Sequence, residues 1–243
     1  MATIDLLLRQ LAADAPVKQV LIGVFATAVV LDGNPPRCGL ASTTLGAAHH
    51  DSTPIPAAGQ LEGRSGRELA EWLRSPHPLQ ASVGMAACNA LLEVDEGACL
   101  ELNAEDLILQ RGAGRSVAVV GHFPFVERVR QAAKTCWVLE LRPRPGDLAA
   151  DQASEVLPQA DVVAITGTSL INHTFDGLIA QCRPDAFVLL LGASAPLTPV
   201  LFERRADAIC GARVVDIPTA TRAIAQGATF RQIPGKRLLA IIK

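Results

Sequence analysis

The spacing of hydrophobic residues in the first third of the chain predicts a small antiparallel sheet preceded by a helix. Apolar residues recur at helical spacing over residues 4–11, and the long β-branched and apolar stretch 17–31 predicts a strand. Asp, Gly, Asn and two Pro predict a turn at 32–36, and 37–45 has the composition of a returning strand. The Pro- and Gly-bearing segment 49–63 predicts an irregular connection.

Two helices are predicted to complete this first unit. Ser65 and Glu68 have the spacing of a capping box, which predicts a helix that ends near Ser75. A second helix is predicted over residues 79–92, where alanines give it a face of small residues. Residues 103–109 are predicted to form a connection.

Short apolar runs alternate with helical segments through the rest of the chain, a pattern typical of a parallel sheet with crossover helices. The predicted fold class is therefore α/β, with a smaller α+β domain over residues 1–108 and a Rossmann-like parallel-sheet domain over residues 109–243. The predicted strands of the second domain are 116–121, 135–141, 161–166, 186–192 and 208–210.

The composition predicts a folded protein that binds neither nucleic acid nor a membrane. Hydrophobic residues make up 49% of the 243 residues, which is enough for a sizeable core. The net charge of −2 offers no basic surface to a phosphate backbone, and 4% of aromatic residues offers few stacking platforms. No apolar run approaches the about 20 residues that span a bilayer, and the N-terminus lacks a secretion signal, so a cytoplasmic location is expected.

Several established catalytic and metal-binding motifs are missing from the sequence. The six cysteines are scattered without a CxxC pair, which predicts buried reduced thiols. Zinc-like Cys/His spacing, a GxSxG elbow and a Walker lysine loop are all lacking, so metallohydrolase, serine hydrolase and P-loop functions lose their usual support. His49, His50 and Asp51 could suggest a metal motif, but adjacent side chains of an extended chain diverge, so a loop is predicted there.

Polar or glycine residues follow the predicted strands, at the edge where open parallel sheets bind ligands. Gly121 lets a ligand approach the backbone closely, and a helix beginning at Pro124 would present free N–H groups to an anion. Because the GxGxxG fingerprint is absent, a tight strand-to-helix turn is the alternative. Glu140 lies where Rossmann proteins place an acid that binds ribose hydroxyls; the alternative is a solvated charge paired with Arg142 or Arg144.

The third strand and the first contribute further candidates. Thr166, Gly167 and Thr168 follow the third strand, with Asn172 predicted in the first turn of the next helix, and their polar groups either cap that helix or hold an anion across from Gly121. His122 is the only histidine at a predicted strand end. It is a candidate proton carrier, metal ligand or hydrogen-bond donor, with a purely structural role as the alternative.

A series of motifs covers nearly the whole chain in a specific order. The motif segments are 82–91, 119–124, 140–147, 158–161, 166–174, 192–199 and Gly211, preceded by 23–29. This series resembles the domain-of-unknown-function family labelled "putative heavy-metal chelation". The resemblance implies an enolase N-terminal-like α+β domain packed on a Rossmann-like domain, with the site in the cleft between them.

The resemblance adds Asn89 and Ser194 to the residues expected to face this cleft; a backbone-satisfied amide near a helix end is the alternative for Asn89. His122 and Glu140 are the best candidates for metal ligands. The full set of predicted ligand-binding residues is Asn89, Gly121, His122, Phe123, Pro124, Glu140, Thr166, Gly167, Thr168, Asn172, Ser194 and Pro196.

Three functional hypotheses follow, and they leave open whether the protein catalyses a reaction. The first is binding or processing of a small anionic ligand, metal-chelating or nucleotide-like, between the Gly121 and Thr166 loops, because hydroxyl, amide and carboxylate groups suit an organic anion better than a bare heavy metal. The second is an enzyme with a Rossmann-bound nucleotide or adenosyl cofactor and His122 as acid or base. The third is a scaffold whose strand-end motifs are only caps. A metal ion, a metal chelate and a nucleotide remain candidate cofactors, and a homodimer is compatible with so apolar a chain.

Overall fold

The computed structural model describes residues 2–46 and 54–243, and it contains two separate sheets. The small sheet is antiparallel and has the order β1 (Val17–Ile22), β2 (Ala26–Leu31) and β3 (Arg37–Ser42). The large sheet has seven strands, of which only the last in the sequence is antiparallel to its neighbour. The predicted α/β class, with a small α+β unit before a mostly parallel sheet, is confirmed.

The first unit packs its helices on one face of the small sheet. Its helices are α1 (Thr3–Arg9), α2 (Gly66–Ala70), a 3-10 turn (Glu71–Arg74) and α3 (Pro78–Leu91). The Ser65 hydroxyl accepts a hydrogen bond from the Glu68 N–H at 3.1 Å, so the predicted cap begins α2. Helix α3 is buried along most of its length because it lies between the small sheet, α2 and the large unit.

The prediction of one strand over residues 17–31 is wrong, because the chain reverses within that stretch. A turn at 23–25 separates β1 from β2, and the Gly23 N–H donates to the Ala26 carbonyl at 2.9 Å. Apolar Val24 and Phe25 occupy this turn and are exposed, so the hydrophobic pattern carries no polar break that marks the reversal.

The second unit alternates strands and helices around the large sheet. Each of the five predicted strands coincides with a strand of the structure. The strands are β4 (Ser116–Val120), β5 (Thr135–Glu140), β6 (Leu148–Ala149), β7 (Val162–Thr166), β8 (Phe187–Leu191), β9 (Ala208–Val214) and β10 (Lys236–Ile242). The helices are α4 (Ala104–Gly112), α5 (Val126–Ala132), α6 (Ala153–Val156), α7 (Thr168–Ile171), α8 (Phe175–Gln181) and α9 (Ile217–Ala225).

Residues 103–109, predicted as a connection, contain most of helix α4. The Asn103 side chain accepts a hydrogen bond from the Glu105 N–H at 3.2 Å, and Leu107 and Ile108 are buried in the core of the large sheet. Only these two residues of the helix are large and fully buried, so its apolar stripe is too short to predict from spacing. The domain division expected between residues 108 and 109 falls inside α4.

The order of the large sheet is β10-β9-β8-β7-β4-β5-β6. The chain leaves β4 towards β5 and β6 and then returns to β7 on the other side of β4. The loops after β4 and β7 therefore lie side by side at the point where the strand order reverses, which is where open α/β sheets bind ligands.

The two units are joined by hydrogen bonds at the carboxyl edge of the large sheet. The Ser42 N–H donates to the Ser194 hydroxyl at 2.8 Å, and the Asn89 amide, which bonds the Leu40 carbonyl of its own unit at 2.8 Å, also donates to the Ala193 carbonyl at 3.4 Å. The likeness of the first unit to an enolase N-terminal domain stays a prediction. Within the described ranges, no helix combines the length and the apolar character needed to cross a bilayer.

Candidate functional site

The loops after β4 and β7 are in direct contact with each other. Gly121 has a φ of +102°, a conformation that favours glycine, and a β-carbon there would lie 3.2 Å from the Thr166 side chain and 3.3 Å from the Phe123 ring. Gly121 therefore faces Thr166 rather than open space. The helix predicted to begin at Pro124 begins instead at Val126, because Pro124 and Phe125 form a turn.

Glu140 and Asp147 hold the His122 segment in place. One carboxylate oxygen of Glu140 accepts the His122 N–H at 2.8 Å and the other accepts the Leu141 N–H at 2.9 Å. The His122 Nδ1 lies 2.8 Å from Asp147 Oδ2, and Arg130 donates to Asp147 Oδ1 at 3.2 Å. Glu140 thus has both oxygens engaged in the loop, which does not favour its predicted contact with a ribose.

Asp147 is a residue of this network that the sequence did not single out as a site residue. Its side chain is fully buried. Burial raises the pKa of this carboxyl, but hydrogen bonds from His122 and the Arg144 N–H and the charge of Arg130 outweigh burial, so its pKa lies below the ordinary 3.8. The available signal was its place at the end of the 140–147 motif, after the turn residues Pro145 and Gly146.

We expect Asp147→Asn to lower the free energy of unfolding at neutral pH by about 2 kcal/mol, because charge-assisted hydrogen bonds are lost. A carboxyl whose native pKa is lowered stabilises the fold above its unfolded pKa of about 4, and this contribution is lost as pH falls towards the native pKa. Urea unfolding of both proteins should therefore show a difference that shrinks from pH 6 to pH 3. The exposed Asp151→Asn is the control; an equal loss in both variants would contradict the role of Asp147.

The residues after β7 make mostly local contacts. The Thr166 and Thr168 hydroxyls lie 2.8 Å apart, the Ser169 hydroxyl donates to the Thr166 carbonyl at 2.7 Å, and the Asn172 side-chain oxygen accepts from the Thr174 hydroxyl at 2.7 Å. Asn172, predicted in the first turn of a helix, instead follows the last residue of the one-turn helix α7.

Four other predicted residues lie in or against the segment 193–196 that follows β8. A β-carbon at Gly167 would lie 2.6 Å from the Ala195 nitrogen, so only glycine fits there, and Ser194 and Pro196 are both buried. The Asn89 side-chain oxygen is buried and finds no hydrogen-bond partner among the described residues. Gly167 thus packs on this segment within the large unit, whereas Asn89 contacts it from the first unit.

An open pocket of about 380 Å³ lies next to these loops, at the carboxyl end of β8 and beside the middle of β9. Of the predicted site residues, only Phe123 and Pro124 line it. Its apolar wall includes Phe125, stacked on Phe123 with ring centroids 5.1 Å apart and planes 7° apart, and Phe230. Gly192 lines the pocket with a φ of +108°, and a β-carbon there would meet no atom within 4 Å.

Cationic side chains line the same pocket. The Lys236 ammonium lies 5.0 Å from the centre of the Phe230 ring and donates to the Ile233 carbonyl, and burial lowers its pKa below 10.5. Neither Lys236 nor Arg231 has a carboxylate partner in the described part of the chain. Arg128 differs, because it pairs with the buried Glu105 at 2.5 Å. Sequence reasoning missed these cations because Arg231 precedes, and Lys236 begins, a strand, β10, that it did not predict.

The described residues do not fit a heavy-metal centre. Over residues 2–46 and 54–243, no three His, Cys, Asp or Glu side chains come together in a way that could hold an ion. His122 and Glu140, the best candidates, bind Asp147 and the backbone instead. His49, His50 and Asp51 lie outside the described residues.

The cysteines give no support for thiolate coordination. The thiolate form binds metals, and burial disfavours that form. Burial raises the pKa of Cys38, Cys88 and Cys210 to about 12 and of Cys136 and Cys182 to about 11, and also raises that of Cys99. All six are unpaired thiols, as predicted from their spacing.

The fold and the pocket together define an α/β protein with a ligand-sized cavity at the carboxyl edge of a Rossmann-like sheet. The chain belongs to the DUF364 family, described as "Putative heavy-metal chelation", whose model matches residues 103–243. A second model with the same description, DUF4213, matches residues 4–92. The predicted family is confirmed.

Proteins of known structure resemble this chain over nearly its whole length. Crystal structures of DUF364-family proteins of unknown function from Desulfitobacterium hafniense DCB-2 and Pyrococcus horikoshii each superpose with a TM-score of 0.83. They are 25% and 19% identical to this chain, covering 99% of it and 97% and 99% of those chains. The uncharacterized protein MJ0500 of Methanocaldococcus jannaschii is 29% identical over 133 residues, which is 51% of this chain and 51% of that protein. The match thus spans about half the length of that curated relative.

Proposed function

We propose that the protein binds a small organic anion in the pocket between Phe123, Gly192 and Lys236. The observation that carries this proposal is the Lys236 ammonium, which lines the pocket half-buried and has no carboxylate partner in the described part of the chain. A partly desolvated charge without an internal counter-ion favours a ligand that supplies one. Arg231 adds a second such cation at the exposed side of the same pocket.

The shape of the pocket supports a small ligand. Its volume of about 380 Å³ is at the lower end of the about 300–1,000 Å³ that is usual for ligand sites. The charged side chains in its lining are the cations Arg128, Arg231 and Lys236 and the carboxylates Glu105 and Asp106, of which Glu105 pairs with Arg128; the rest of the wall is mainly aromatic and aliphatic. Such a lining lowers the local dielectric constant, and a salt contact formed within it is stronger than one at the open surface.

The family description refers to heavy-metal chelation. An organic anion that carries a metal would reconcile that description with the residues of the pocket, because the ligand and not the protein would supply the metal-binding groups. In this proposal the protein holds the anionic part of the complex. Binding in a cleft that the first unit completes, with Asn89 and Ser194 near it, and a homodimeric, cytoplasmic protein remain predictions.

The experiment is a calorimetric titration of the protein with benzoate, chosen as a probe, at low ionic strength. Lys236→Met keeps an unbranched side chain, one atom shorter, but removes its charge, and we expect it to weaken benzoate binding about tenfold or more, because a hydrogen-bonded charge contact is lost. Lys134→Met, on an exposed residue away from the pocket, should leave the affinity unchanged. Equal affinities of the three proteins would contradict the proposal.

A further inference from the structure

We propose that the anion bound in this pocket is an aromatic one, with a flat ring that stacks on Phe123 and an anionic group that faces Lys236 and Arg231. This inference rests on the proposed function and narrows its ligand to planar aromatic acids. It is carried by the placement of the phenylalanines, independently of the charges.

The pocket concentrates aromatic rings in a chain that has few. The sequence contains seven Phe and no Tyr, and three of the seven, Phe123, Phe125 and Phe230, line this one pocket. Core packing alone does not require that concentration, because Leu and Val fill most of the interior of this protein. Aromatic walls at a binding site add stacking to the area that they bury.

Phe123 and Phe125 form a stacked pair at the wall of the pocket. Phe125 is buried and packs against Phe123 with nearly parallel planes, whereas Phe123 is only partly buried and lines the pocket. A flat ring in the pocket would extend this offset stack. One face of Phe230 is covered by the Lys236 ammonium, so a ring on Phe123 would lie in the same pocket as this cation.

Gly192 leaves room for such a ring. Its positive φ favours glycine, and the direction of the missing β-carbon is open for at least 4 Å. The backbone of the strand end, and not a side chain, therefore bounds this part of the pocket. A thin, flat group fits against backbone more closely than a branched aliphatic one.

The test compares two carboxylates of equal charge that differ in planarity, benzoate and cyclohexanecarboxylate, by calorimetric titration of the full chain. We expect benzoate to bind about two- to tenfold more tightly, which is the range of a stacking contact. Phe123→Leu should bring the two affinities together by weakening benzoate alone. Phe202→Leu, which changes a partly buried ring of another core cluster, should preserve the difference.

The outcomes separate this inference from the proposed function. Equal affinities of the wild-type protein for both carboxylates, each weakened by Lys236→Met, would overturn the aromatic inference and leave anion binding in place. Binding of neither carboxylate would overturn both. The aromatic inference would also be overturned if Phe123→Leu still bound benzoate more tightly than cyclohexanecarboxylate. The melting temperature of this variant shows whether it is folded.

Discussion

Gly192→Leu is expected to abolish benzoate binding while the protein remains folded. The added side chain meets no atom within 4 Å of its β-carbon and so extends into the pocket, where it takes the space of the ligand. A non-glycine residue at a φ of +108° also strains the backbone, at a cost of about 1–3 kcal/mol in the free energy of unfolding. Calorimetric titration with benzoate and thermal unfolding measure the two effects separately.

Gly59→Leu is the matched control for this substitution. Gly59 has a φ of +85°, its β-carbon direction is equally open, and it does not line the pocket. This variant should lose stability through the same kind of backbone strain but keep its affinity for benzoate. Unchanged benzoate affinity in Gly192→Leu would show that the ligand does not occupy the space next to the carboxyl end of β8.

Gly39→Ala is expected to produce the largest loss of stability, about 3 kcal/mol. Gly39 lies in β3 beneath helix α3, and its β-carbon would lie 2.1 Å from the Ala86 carbonyl oxygen and 2.3 Å from the Ala90 nitrogen. Both contacts are with backbone, so the helix itself must move away from the sheet. Urea unfolding followed by circular dichroism should give a lower midpoint with an unchanged denaturant dependence.

Gly177→Ala is the contrasting control for Gly39→Ala. Gly177 lies in helix α8 without positive φ, and no atom lies within 4 Å of its β-carbon. Alanine has the higher helix propensity, so this variant should gain about 0.5–1 kcal/mol. A neutral Gly39→Ala variant would contradict the close packing of α3 on β3, which also places Asn89 against the large unit.

Five of the six parallel strands could be predicted from the sequence because they are short, mainly apolar runs with residues buried in the sheet; the two-residue strand β6 offers no such run. Strand β7, for example, is buried from Val162 to Ile165. Elements in which apolar and polar positions are not clearly separated along the sequence were not predicted. The β1–β2 reversal contains apolar Val24 and Phe25, helix α4 has only two fully buried large residues, and β10 begins with Lys236 and Arg237. In each case the hydrophobic pattern along the sequence gives no local sign of the element.

The candidate site could be predicted only in its general position. The rule that ligands bind at the carboxyl ends of parallel strands led to Phe123, Pro124 and the neighbouring loops. It could not show that Gly121 faces Thr166, that Gly167 packs against the 194–195 backbone, or that Ser194 bonds to the first unit, because these contacts join distant segments. The cation Arg231 lies in a 3-10 turn before β10 and Lys236 is the first residue of β10, and no motif marks them.

The most direct measurement is the anomalous difference map of crystals grown with 4-bromobenzoate, because it locates the ligand without reference to affinity. We expect a bromine peak inside the pocket, with the ring of the ligand on Phe123 and its carboxylate near Lys236. A bromine peak in the pocket with the carboxylate turned away from both cations would contradict the assigned charge contact. An ordered ligand elsewhere, with the pocket filled only by water, would contradict the account as a whole.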